Sequence, residues 1–275
     1  MSYIFWDPSR AIFDFPLPLI GRPILWYGFF FALGFFLGYW ILLYVLKRIL
    51  SDPLKIKMVA DRITIYVVVG TVVGARLGDL LFYQDLSQYA HDPLGALRVW
   101  EGGLASHGGA IGIMIALYLL SRRAKKGLPK FSWLSLLDIV VIPTAFVASF
   151  IRIGNFFNQE ILGRVTTLPW AVIFGHPADG SYPAPRHPVQ LYESLAYLLI
   201  FVVLITLWRG YPAWRRTGKM CGLFLLLVFS FRFFVEFLKE EQSLLLSASA
   251  PLQMGQLLSL PFILLGTYFL LRQDK

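Results

Sequence analysis

Seven apolar runs alternate with polar connectors along this chain. They extend over about Ile24–Leu46, Ile63–Tyr83, Leu104–Leu120, Phe131–Ile153, Pro188–Trp208, Met220–Leu238 and Gln253–Leu271. Each is near the ~20 residues that a helix needs to cross a hydrocarbon core about 30 Å thick. The pattern predicts an all-α polytopic membrane protein with seven transmembrane helices, folded as one membrane-embedded domain over residues 1–275. Glycines at Gly34 and Gly38, and at Gly70, Gly74 and Gly78, recur every four positions. That spacing lines one helix face with small residues for close helix contact.

The segments outside the runs divide into two kinds. Residues 1–23 are aromatic and proline-containing but too short of apolar continuity to span. They read as an interfacial segment with Phe5, Trp6, Phe13 and Phe15 as anchors. Residues 154–187 form the longest connector and are predicted to make a cap, long enough to carry function. Pro188, behind His187, suits the first position of the fifth helix.

Composition agrees with the pattern. Of 275 residues, 57% are hydrophobic, and the mean hydropathy is +0.65. The net charge of +9 lies mostly in short connectors, with no basic stripe apart from the membrane segments, which argues against nucleic acid as a partner. Lys and Arg are also unevenly shared. Connectors after spans 1, 3, 5 and 7 hold sixteen, from Lys47, Arg48, Lys55, Lys57 and Arg62 through Arg122, Arg123, Lys125, Lys126 and Lys130, then Arg209, Arg215, Arg216 and Lys219, to Arg272 and Lys275. The alternate segments hold six: Arg10, Arg22, Arg98, Arg164, Arg186 and Lys239. The positive-inside rule then places the N-terminus outside and the C-terminus in the cytoplasm, with the cap extracytoplasmic. The lone Cys221 permits no intramolecular disulfide. Residues Met1 to Pro18 lack a basic start followed by an apolar core, so no cleavable signal is expected.

Polar residues inside the runs are where chemistry is expected, because charge in lipid is costly unless partnered or used. At about 1.5 Å per residue from the cytoplasmic ends, Arg76, His107 and Arg232 each lie roughly 18–20 Å up, in the outer half. Tyr27, Asn155, Gln190, Glu193 and Glu236 fall in the same half, whereas the cytoplasmic halves hold few polar groups, Asp138 being the main one. This asymmetry points to a cavity open outward, not a pore. Arg76 with Asp79, and Arg232 with Glu236 one turn on, are also spaced as structural ion pairs. At the end of the fourth run stands Arg152-Ile153-Gly154-Asn155-Phe156-Phe157-Asn158-Gln159-Glu160-Ile161-Leu162-Gly163, a charged, amide-rich segment at a membrane boundary.

Arginine carries a fixed charge on a planar fork that fits phosphate oxygens. Two of them could hold a phosphodiester or stabilise a departing phosphate. His107 can accept a proton near neutral pH; the His107-Gly108-Gly109 run serves equally as an anion site or as helix packing. No Ser-His-Asp set is present, and Cys221 lies near the cytoplasmic end of its run, so the nucleophile is expected from a second substrate. His91, His176 and His187 lack metal-ligand spacing, and no metal or cofactor is expected.

The 152–163 segment resembles the G-R-x-G-N-F-x-N-x-E-x-x-G signature of the prolipoprotein diacylglyceryl transferase family. Trp26-Tyr27-Gly28, Gly74-Ala75-Arg76-Leu77-Gly78, Trp100-Glu101-Gly102-Gly103 with Ser106-His107-Gly108-Gly109, His187-Pro188-Val189-Gln190-Leu191-Tyr192-Glu193, Arg232-Phe233-Phe234-Val235-Glu236 and Met254-Gly255-Gln256 agree with it in the family's order. The resemblance implies an enzyme of the bacterial inner membrane that moves diacylglyceryl from phosphatidylglycerol to the lipobox cysteine thiol of a preprolipoprotein signal peptide. It implies lipid-binding and catalytic roles for Arg152 and Arg232, a catalytic role for His107 as proton acceptor or in shaping the site, and functional positions at Tyr27, Asn155, Glu160, Gly163 and Glu236. Arg76 and Glu193, in the matching stretches, join them as candidate substrate-binding residues. The chain departs from the pattern at Ile151, where glycine usually begins the signature. It departs also at Val228, where the family often has tyrosine, and at Lys239-Glu240-Glu241-Gln242, which replaces an R-x-P-D-like run. A transporter for an anionic lipid or solute is the alternative reading, and a structural scaffold a third. The transporter predicts polar cytoplasmic halves, and the scaffold predicts tolerance of Arg152→Leu.

Overall fold

The computed structural model describes residues 3–13, 15, 21, 23–82, 84, 93–98, 103, 105–123, 131–215, 217–240 and 252–272. Several residues weighed above lie outside these: Arg22, Tyr83, His91, Trp100, Glu101, Gly102, Leu104, Lys125, Lys126, Lys130, Arg216, Glu241, Gln242 and Lys275. Seven α-helices are formed among the described residues: α1 (Trp26–Leu46), α2 (Pro53–Phe82), α3 (Ser106–Arg122), α4 (Trp133–Phe157), α5 (Val189–Gly210), α6 (Lys219–Val235) and α7 (Met254–Leu271). A 3-10 turn, Glu236–Leu238, prolongs α6. Six helices are long and apolar enough to cross a membrane. The seventh, α3, has 17 residues.

Two expected boundaries move. The helix α2 begins at Pro53, ten residues before its apolar run, because Asp52 caps it: Oδ1 accepts from the amides of Leu54 (3.0 Å) and Lys55 (3.4 Å). Lys55, Lys57 and Arg62 are therefore helical. The helix α4 runs on to Phe157, so residues 154–157 complete a helix instead of starting the connector. Pro188 is the N-cap of α5, and Val189 is its first helical residue.

The chain divides into two compact units, residues 1–41 with 140–275, and residues 42–139. In the second unit, α2 and α3 meet along their glycines. A Cβ on Gly70 would come within 2.7 Å of the Gly112 carbonyl oxygen and 2.8 Å of Ala116 Cβ, so the two backbones touch where side chains would otherwise stand. A further α2 face carries Ile65, Val69, Val73, Leu77 and Leu81, four apart and each more than half exposed. An apolar stripe this long is what lipid tails solvate.

In the first unit, Gly34 and Gly38 of α1 lie against Val147 of α4. Phe229 of α6 stacks on Phe262 of α7 at 4.3 Å. Three short strands form a small sheet: β1 (Ile4–Trp6), β2 (Val172–Phe174) and β3 (Pro185–Arg186), in the order β1-β2-β3. β1 runs parallel to β2 with Ile4 opposite Val172, and β3 is antiparallel with Arg186 opposite Val172. Beneath the sheet, Phe156, Leu162, Val172 and Phe174 form a buried cluster against which Trp6 packs. Trp6 also donates Nε1–H to the Phe156 carbonyl at 3.2 Å. Of the four aromatic residues expected as interfacial anchors, Trp6 thus turns inward, whereas Phe5, Phe13 and Phe15 are exposed.

Candidate active site

The end of α4 and the turn after it build the site. Asn155 occupies the last turn of α4, where its Oδ1 accepts from Arg152 Nη1 at 3.0 Å, one turn back. Its Nδ2 reaches forward to Glu160 Oε1 at 2.5 Å. That reversal requires a sharp backbone, and both Gln159 (φ 54°) and Ile161 (φ 57°) take up the left-handed region. A β-branched residue there is a true outlier. The turn is held by bonds to its backbone: Gln190 Nε2 donates to the Glu160 carbonyl (2.7 Å) and the Ala178 amide to the Gln159 carbonyl (2.9 Å). Gly163 lies further along, bridged to Lys239 and accepting from Arg186 Nη1 at 3.1 Å.

The centre is Glu193 of α5, with no solvent exposure. Lys239 Nζ lies 2.8 Å from Oε1, and the Tyr197 hydroxyl approaches the same oxygen at 3.5 Å. Arg152 Nε stands 3.1 Å from Oε2, an ion pair without the alignment of a hydrogen bond. The Tyr197 hydroxyl is also within hydrogen-bonding range of Arg152. Lys239 also faces Glu236, whose Oε2 is 3.5 Å away. The Glu236 carboxylate crowds the first turn of α7 at Gly255, where any Cβ would collide with it. A helix N-terminus favours an anion in that place.

Arg232 completes the group from α6. It acts electrostatically on both Glu193 and Tyr197, and Tyr197 packs edge-on against its neighbour Phe231 at 6.4 Å. Arg232 makes no ion pair within 4 Å among the described residues. The i,i+4 pairing of Arg232 with Glu236 allowed by their spacing is therefore replaced by Glu236 with Lys239. Tyr27 of α1 joins the cluster through its electrostatic coupling to Glu160 and Arg152. The structure thus gathers Tyr27, Arg152, Asn155, Glu160, Glu193, Arg232 and Glu236 in one unit, with Gly163 beside Lys239.

Two candidates belong to the second unit. Arg76 is buried and spends its donors on the chain. Nε bonds Ala96 O (2.8 Å), Nη2 Gly95 O (3.0 Å) and Nη1 Gly103 O (3.2 Å), with Asp79 Oδ2 at 3.4 Å. Its geometry is that of a clamp on the Pro93–Leu97 turn. His107 is the second residue of α3 and packs edge-on to Phe82 at 5.6 Å.

The sequence marks Lys239 only as the start of a departure from the family pattern, and Tyr197 not at all. Lys239 follows the apolar run and reads as a loop cation, yet it is 4% exposed. Burial lowers the basicity of its ammonium, against the opposing pull of Glu193. Its spacing of three from Glu236 was a usable signal. Tyr197, one turn after Glu193, reads as one more aromatic in an apolar helix.

A family model described as prolipoprotein diacylglyceryl transferase matches residues 17–272. A protein of Protochlamydia amoebophila named phosphatidylglycerol–prolipoprotein diacylglyceryl transferase is 50% identical over 216 residues, covering 78% of this chain and 57% of that protein. Proteins of the same name from Porphyromonas gingivalis and Tolumonas auensis are 42% and 43% identical, over 100% and 99% of this chain and 96% and 98% of theirs.

Proposed function

The chain belongs to the prolipoprotein diacylglyceryl transferase family, and from that membership we propose that it transfers the diacylglyceryl group of phosphatidylglycerol to the lipobox cysteine thiol of preprolipoproteins. The seven helices span the bacterial cytoplasmic membrane with the N-terminus outside. The segment between α4 and α5, with β1, caps the outer face, and the site opens to the outer leaflet. The distribution of Lys and Arg supports this orientation.

The observation that carries the mechanism is that Arg152 and Arg232 both act on the buried Glu193 and Tyr197 within one cluster of charged side chains. Arg232, which makes no ion pair among the described residues, offers its fork to the lipid phosphate, and Arg152 is aimed by Asn155 on its own helix and by Glu193 on α5. The substrate cysteine, as thiolate, attacks glyceryl C3. The C3–O bond breaks, and its electron pair leaves on glycerol phosphate, whose added charge the two guanidinium groups stabilise. The thiol proton must go to a base, since the free thiol has a pKa of about 8.5. His107 is the proposed acceptor or site-shaping group. No relative named above is a transporter.

The test is diacylglyceryl transfer to a lipobox peptide, read by mass spectrometry, with Arg152→Ala and Arg232→Ala variants confirmed to insert. Each is expected to lose at least about a hundredfold in kcat/KM, the usual scale for one electrostatic donor at a developing anion. Near-normal turnover in both would end this mechanism.

A further inference from the structure

Two of this site's carboxylates, Glu193 and Glu236, form ion pairs with its cations, and either would neutralise an arginine meant for a phosphate. Glu236 is one helical turn beyond Arg232, the position at which opposite charges on a helix ordinarily pair. In the structure it is instead turned toward Lys239 Nζ (3.5 Å) and the first turn of α7. The same ammonium takes Glu193 Oε1 at 2.8 Å. We infer that Lys239 is a positioning residue that holds Glu236 and one oxygen of Glu193 away from Arg232, and so leaves that arginine open to the lipid phosphate while Glu193 Oε2 stays on Arg152. The inference rests on the transferase reading and concerns how its anion site is kept available.

Lys239 is built for this place. Its amide bonds the Glu236 carbonyl at 3.0 Å, its carbonyl accepts from Arg164 Nε at 3.0 Å, and its backbone bridges Gly163. The side chain is thus fixed at both ends. The charged and titratable groups around it are Glu193 from α5, whose Oε1 the Tyr197 hydroxyl shares, Arg152 from α4, Glu236 from its own segment, and Arg164 at its carbonyl. A lysine differs from an arginine here in one respect that can be measured: it can lose its proton within the range of an assay. Burial moves that loss below the ordinary lysine value. The charged form does the positioning, so its benefit is present at neutral pH and disappears as pH rises through the lowered value.

The experiment uses the full-length protein in detergent micelles, with phosphatidylglycerol and a saturating lipobox peptide. In Lys239→Met, Glu236 is free to take Arg232. The KM for phosphatidylglycerol is expected to rise about tenfold, equivalent to about 1.4 kcal/mol, with kcat changed much less. Lys239→Arg is expected to restore KM at pH 7.5 to within about threefold. It should also remove the alkaline fall of kcat/KM expected of the wild type, because a guanidinium stays charged. An unchanged KM in Lys239→Met, or an alkaline limb in Lys239→Arg that matches the wild type, overturns the inference. Should Lys239→Met fail to insert, the pH profile of Lys239→Arg decides. A wild type that binds phosphatidylglycerol but forms no thioether defeats the transferase reading alone. Equilibrium binding of the lipid then tests Lys239, and equal affinity in wild type and Lys239→Met refutes it.

Discussion

Replacing Glu193 by glutamine removes one negative charge and no volume, so it isolates what that carboxylate does. The side chain is fully buried, with Lys239 at 2.8 Å, Arg152 at 3.1 Å and the Tyr197 hydroxyl at 3.5 Å. Two unit charges 4 Å apart attract by about 4 kcal/mol at an effective dielectric of 20. Removing one partner of a buried pair costs about 3–5 kcal/mol, because the remaining charge is left without compensation. Glu193→Gln strands two cations at once, but Lys239 keeps Glu236 (3.5 Å) and Arg152 keeps Asn155 (3.0 Å), so the lower end, about 3 kcal/mol, is expected. At ~2–4 °C per kcal/mol for a chain of this size, the apparent melting temperature in detergent should fall by roughly 10 °C. Glu193→Asp, which retains charge on a shorter arm, should fall between the two. A Glu193→Gln protein that melts within about 2 °C of the wild type and transfers lipid normally would refute the assignment of this carboxylate as the hub of the site.

Two further outcomes follow from contacts elsewhere. Gly70→Val places atoms where the Gly112 carbonyl and Ala116 Cβ stand, at 2.7 and 2.8 Å, so α2 and α3 must part. A loss of about 1–3 kcal/mol is expected, with a matching drop in detergent-resistant fold by thermal melt, and Gly70→Ala should show the milder form. At the other end of the chain, Asp7 Oδ1 takes His176 Nδ1 at 2.6 Å and Gln159 Nε2 at 3.2 Å, which holds its carboxyl below the usual aspartate value. A depressed pKa means that the clasp is complete above the ordinary aspartate range and is lost as pH falls through the lowered value. Amide protection of Ile4–Trp6, taken relative to the intrinsic exchange rate at each pH, should fall on acidification, and at neutral pH in Asp7→Asn. Exchange that is unaltered in Asp7→Asn would show that the clasp does not hold β1.

The helices were legible because apolar runs of this length have one stable form in lipid, and the α2–α3 glycines were legible because a period of four marks one face. Boundaries were legible only where composition changed. The run of α2 was read from Ile63, since Lys55, Lys57 and Arg62 look like connector, yet Asp52 followed by Pro53 is a start signal in the sequence itself. The sheet left no trace: strands of two or three residues are too short to show a period, and β1 meets β2 across more than 160 residues. In the site, the residue types and their depth were readable, but the pairing was not. Arg232 and Glu236 fit the i,i+4 rule, and Arg76 with Asp79 fits i,i+3. The first pair is broken by a lysine that enters from past the helix end, and the second stands within a set of bonds to backbone carbonyls that only the fold supplies.

The arrangement also accounts for the strained turn after α4. Left-handed φ at Gln159 and Ile161 costs of order 1–3 kcal/mol at each residue and persists only where the surroundings fix it. Here they do: Gln159 is held by Asp7 through its amide nitrogen and by the His176 amide through its oxygen (2.7 Å), and Glu160 is held through its carbonyl by Gln190. A relaxed turn would swing Glu160 off Asn155, and Asn155 would lose the bond that directs its other end to Arg152. Asp7, just past β1, is thus tied to Arg152 through the amide-rich signature, by a hydrogen bond to Gln159, along the backbone to Glu160, and by hydrogen bonds again through Asn155. A side chain as long as arginine gains its direction from such outside support because its own rotamers do not provide it.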